Sequence, residues 1–129
     1  MYMPAVHDLP YPYDAARWAN SYAALGFDPS TQPAWLISLV DSYYAEGNRS
    51  ALRNRVMSAK RWATTHNKPV ICNEFGAYAV ASRLEDRVRY YRDMVGIFQE
   101  LEIPWQHWFM VIDPQTGAID AEIRDALGL

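Results

Sequence analysis

Cysteine, histidine and long apolar runs are all scarce in this chain of 129 residues. Its one cysteine, Cys72, excludes a disulfide within the chain and cannot build a thiolate metal site alone. The three histidines, His7, His66 and His107, show no i, i+4 pairing on one helix, so no metal site is expected. No stretch approaches the roughly 18 consecutive apolar residues that span a bilayer. The segment Met1 to Tyr13 also holds no lysine or arginine, so neither a signal peptide nor a membrane anchor is expected there. An excess of one charge is missing as well. Twelve basic residues face fifteen acidic ones, for a net charge of -3, and with no basic patch to neutralise phosphates nucleic acid is not an expected partner. Glycine-rich phosphate loops, a dinucleotide fingerprint and a nucleophile elbow are absent too.

What is present is an ordinary globular balance, 50% hydrophobic and 21% charged, in a chain the size of one domain. Five Trp and nine Tyr give an aromatic excess that suits either a core or stacking on sugar-like ligands. Prolines gather early, at Pro4, Pro10, Pro12, Pro29 and Pro33, which predicts a long ordered loop with a short helix from Asp14. Helical spacing then runs from Pro33 to about Gly47, through Trp35, Leu36, Leu39, Val40 and Tyr43. A second helix is predicted from Ser50 to His66, with Leu52, Val56, Ala59 and Trp62-Ala63 on its apolar face and Asn67 as its stop. The run Val70 to Phe75 predicts a strand buried on both faces. Ser82 with Glu85 predicts the start of a helix reaching about Leu101, and Ile103 to Ile112 a second strand. Asp113 to Gly117 is turn chemistry, and Asp120 to Leu127 a terminal helix stopped by Gly128. Strands alternating with amphipathic helices at this spacing signal βαβ units and a parallel sheet.

Three places carry candidate chemistry. Glu74 stands at the C-terminal end of an apolar strand, where parallel sheets hold their reactive groups, and burying an ionised carboxylate there is costly unless it is paired or used. The alternative is that Glu74 caps the next loop or pairs with an arginine such as Arg83. In Pro104-Trp105-Gln106-His107-Trp108, alternation puts Gln106 and Trp108 on one face and Trp105 and His107 on the other. Trp105 reads best as core, whereas Trp108 is equally suited to packing or to stacking on a sugar ring. At the N-terminus, Met1-Tyr2-Met3-Pro4 would bring Tyr2 to the same rim if it ended a strand, able to donate a hydrogen bond to a carboxylate.

The strand with Asn73-Glu74-Phe75-Gly76, preceded by Trp62-Ala63 and Lys68-Pro69-Val70 and followed by Trp105-Gln-His-Trp108, resembles the C-terminal part of glycoside hydrolase family 5, the cellulase-type retaining glycosidases. The resemblance runs nearly end to end and implies a partial (β/α)8 barrel, approximately strands six to eight with their helices. It makes residues 1–129 the C-terminal half of a catalytic domain. It further implies that Glu74 is the nucleophile, Tyr2 the tyrosine that hydrogen-bonds it, Trp108 a floor for the sugar, and Asn73 with the aromatic loop from Tyr11 to Trp18 a wall of the cleft. The family's histidine would fall just before Met1, and its acid/base Glu and its arginine have no counterpart, so the chain is not expected to be a complete enzyme. The implied activity is hydrolysis of β-glucans, endo-β-1,4-glucanase above all, with a mannanase or exo-glucosidase differing in substrate alone. No cofactor is implied, and family habit points to secretion. The expected partner is a β-linked polysaccharide or oligosaccharide. The other reading is a non-hydrolytic half barrel that binds carbohydrate, self-associates or pairs with a complementing N-terminal half to cover its open edges.

Overall fold

The computed structural model describes residues 8–18, 28–107, 111–113 and 115–129. Its main elements are four α-helices, α1 (Ala34–Glu46), α2 (Arg49–His66), α3 (Leu84–Glu100) and α4 (Ala121–Leu127). Residues 15–18 are also helical, capped by Asp14, whose carboxylate accepts from the Ala16 and Arg17 amides at 2.9 and 3.2 Å. Among the described residues no helix is long and apolar enough to cross a membrane.

The helix ends follow side-chain chemistry. Asn48 caps α2 by accepting from Ala51 N, so the helix starts at Arg49, one position ahead of the start expected at Ser50. Asn67 ends it in the left-handed conformation at φ 50°. Asp120 caps α4, accepting from Glu122 N and Ile123 N, and Gly128 closes it at φ 75°, where a Cβ would be strained. The expected Ser82 cap is corrected: α3 follows Arg83, and the Ser82 hydroxyl instead donates to Tyr78 O in the loop before the helix.

One core organises the molecule. Val88, Tyr91, Val95 and Phe98 recur at helical spacing along α3 and meet Ile123, Ala126 and Leu127 of α4, with Phe75, Leu101 and Ile103 completing the cluster. Leu52, Val56 and Met57 of α2 pack against it. Parts of the expected helix faces are open. Trp35 and Leu39 of α1 and Ala59 and Trp62 of α2 are exposed.

The strand expectations require a larger correction. Among the described residues there is no β-ladder but two isolated bridges, Cys72 to Trp105 in parallel and Ile112 to Ile119 antiparallel. At the first, Cys72 N donates to Pro104 O at 2.9 Å and Gln106 N to Cys72 O at 2.8 Å, the slanted pattern of parallel strands. Pairing on one side alone leaves Ile71 58% exposed, so the run 70–75 is not buried on both faces. The second bridge closes a hairpin in which the Asp113 carboxylate accepts from the Gln115 and Thr116 amides. The described fold is thus mostly helical, with one parallel contact where the sequence predicted a sheet.

Candidate functional site

The parallel bridge positions the site. Cys72 is locked to 104–106 by its two backbone bonds, and two residues further along Glu74 reaches the surface. Phe75, 7% exposed, turns the other way, its ring edge-on to Phe98 at 5.1 Å, Trp105 at 5.3 Å and His107 at 5.3 Å. That anchor fixes which way the neighbouring carboxylate emerges. The loop after it is tied by Tyr91, whose hydroxyl accepts from Ala77 N at 3.1 Å and donates to Ala77 O. Asn73 and Glu74 are both exposed, and among the described residues neither side chain makes a hydrogen bond or ion pair. Arg83, the pairing partner weighed for Glu74, lies instead 3.9 Å from Asp8.

On the second strand segment the expected alternation holds within the described residues. Trp105 and His107 both contact Phe75 on the helix side, while Gln106 is exposed. Trp105 also lies parallel to Phe98 at 6.4 Å, as a core residue does. The register sets position 107 level with position 74. Trp108 and Tyr2, the expected sugar floor and the expected hydrogen-bond donor, lie outside the described residues. Burial holds the His107 imidazole below its ordinary pKa, and its Nε2 is buried with no hydrogen-bond partner.

The aromatic loop is anchored on the helices. Tyr11 is buried, its hydroxyl donating to Asp93 at 2.7 Å and its ring edge-on to Tyr90. Trp18 stacks on Tyr43 of α1 at 5.2 Å, and Tyr13 packs beside both. These rings fasten the loop to α1 and α3. Sequence reading missed the strongest fastener, Arg17 in a two-pronged ion pair with Asp86, a carboxylate 2% exposed that also binds Arg89 at 3.0 Å. Burial by itself would raise the Asp86 carboxyl, but the hydrogen bonds and charge of Arg17 hold it below the usual range. The one available signal was an acid four residues before Tyr90 and eleven before Ile97, at the edge of the apolar stripe of α3. Among the described residues no three His, Cys, Asp or Glu side chains converge as a metal cage.

Comparison with known proteins narrows what this geometry serves. No protein-family profile matches the chain. Over 129 residues it is 37% identical to Endoglucanase 3 of Fibrobacter succinogenes, an alignment that takes in 96% of this chain. Nearly its whole length is similar to part of an endoglucanase. It spans 19% of the length of that relative. A hyperthermophilic endo-β-1,4-glucanase solved with substrate superposes with a TM-score of 0.57 at 26% identity, covering 63% of this chain and 28% of the other. Thermotoga maritima Cel5A, solved with cellobiose, matches 91% of this chain and 35% of its own at a TM-score of 0.58 and 18% identity, a likeness of fold. The same Cel5A has also been solved with mannotriose.

Proposed function

We propose that residues 1–129 are the C-terminal half of a glycoside hydrolase (β/α)8 barrel, approximately strands six to eight with their helices. In this reading it acts on β-1,4-glucans by a retaining mechanism. The observation that carries the proposal is an exposed carboxylate at Glu74, without a side-chain partner among the described residues, two residues past a parallel strand contact, in a chain 37% identical to an endoglucanase. A Glu74 oxygen would attack the anomeric carbon as the glycosidic C–O bond breaks, giving a covalent glycosyl ester that water then hydrolyses. The leaving oxygen takes its proton from a second carboxylic acid roughly 5 to 5.5 Å away, supplied by sequence outside this chain. Tyr2 would donate a hydrogen bond to Glu74, Trp108 would stack on the sugar, and Asn73 would border the cleft. The cellobiose and mannotriose bound by Cel5A support a β-linked oligosaccharide as ligand, with glucan preferred on the endoglucanase identity.

A 2-deoxy-2-fluoro-β-cellobioside with a dinitrophenolate leaving group tests the assignment, because that group departs without an acid. Mass spectrometry of the digested protein is expected to find the fluoroglycosyl ester on Glu74 and none in Glu74→Gln. An ester on a different carboxylate, or dinitrophenolate release undiminished by the substitution, would remove Glu74 from the role.

A further inference from the structure

An open cavity of about 410 Å³ is lined by the loop that follows Glu74 together with the 9–11 segment, α1, the start of α2 and α3. That volume is within the roughly 300 to 1,000 Å³ typical of small-molecule sites. Its walls are apolar and aromatic, including Leu39, Leu52, Tyr43 and Tyr90. Nearly every polar group that reaches it is already engaged. Tyr43 donates to Pro10 O, Tyr11 to Asp93, Glu46 pairs with Arg55, and Asp86 pairs with Arg17 and Arg89. Burial pushes both the Tyr43 and Tyr90 phenols up to about 12, so neither places negative charge in the cavity near neutral pH.

Arg87 is the exception. It lines the cavity, yet among the described residues it makes no hydrogen bond or ion pair, and its Nε is buried without a partner. Tyr90, three residues on along the same helix face and in the same wall, also has a hydroxyl with no hydrogen-bond partner among the described residues. We propose that this cavity binds a small aromatic carboxylate, its anionic head on Arg87 and its ring among the tyrosines. The guanidinium offers its Nη–H groups, which unlike Nε are not buried, to a carboxylate, and Tyr90 supplies a further donor. Glu74 does not line the cavity, so the site stands apart from the proposed cleft while sharing the Gly76–Tyr78 loop with it.

Calorimetric titration with benzoate tests this at neutral pH, with benzamide as the uncharged isostere. Benzoate is expected to bind, benzamide about tenfold or more weakly, and Arg87→Gln is expected to lower benzoate affinity by about tenfold or more. Excess cellobiose is expected to leave the benzoate affinity unchanged. No benzoate binding, equal affinity for benzamide, undiminished binding by Arg87→Gln, or displacement by cellobiose would each overturn the proposal. The benzamide comparison uses the unsubstituted chain, so it decides the matter even if Arg87→Gln does not fold.

Discussion

Asp86 shows how a single residue is held ionised out of water. Its side chain is 2% exposed, and two arginines neutralise it, one of them from a loop 69 positions earlier in the chain. Replacing it with Asn keeps the shape but removes the charge that Arg17 and Arg89 face. Asp86→Asn is expected to lower the unfolding free energy by about 2 kcal/mol, read as a lower urea midpoint. His107 works in the opposite sense. Its folded pKa is depressed by burial, so the unfolded chain takes up a proton first as pH falls through about 6.5. Stability is therefore full above that value and declines below it, toward the lower folded pKa. His107→Phe, which keeps a ring against Phe75 and Tyr91, is expected to flatten that decline in urea titrations between about pH 5 and 7. If the two proteins lose stability in parallel, His107 is not the group that titrates.

At the scale of elements, most boundaries were legible because caps are local. Asn67, Asp120 and Gly128 each act on amides or carbonyls within a few residues, and the sequence placed all three. Ser82 misled because its hydroxyl had a competing carbonyl four residues back. The end of α3 carries a residue that sequence reading did not single out, Glu102, held at φ 52° while Ile103 N bonds back to Phe98 O. A side chain in the left-handed region costs about 1–2 kcal/mol, partly offset by the greater unfolded-state freedom of glycine. Glu102→Gly is expected to raise stability by about 0.5 kcal/mol in equilibrium denaturation, and a fall in stability would show that its contact with Lys60 at 3.8 Å outweighs the backbone relief.

For the whole molecule, the open faces matter most. Trp35, Trp62 and Ile71 are each at least half exposed, and the paired segment around Cys72 has one partner among the described residues. Apolar surface and an unpaired strand edge both favour covering by another polypeptide. Light scattering of the isolated chain at micromolar concentration is accordingly expected to give a mass above that of one protomer, while a strictly monomeric, well-folded chain would count against such pairing.

The amino-acid order by itself determined the four helices, their stops, the amphipathic stripe of α3 and the motif around Glu74, since these rest on periodicity and on contacts a few residues long. It also carried the cellulase resemblance that the 37% identity upholds. Tertiary structure alone decided how the aromatics are spent, which acid Arg17 neutralises, that Glu74 is left unpaired among the described residues, and that Arg87 lines a cavity with no partner of its own among them. The reason is distance along the chain. Tyr11 meets Asp93 and Arg17 meets Asp86 across 82 and 69 positions, and no local pattern encodes which of many acids a folded loop will reach.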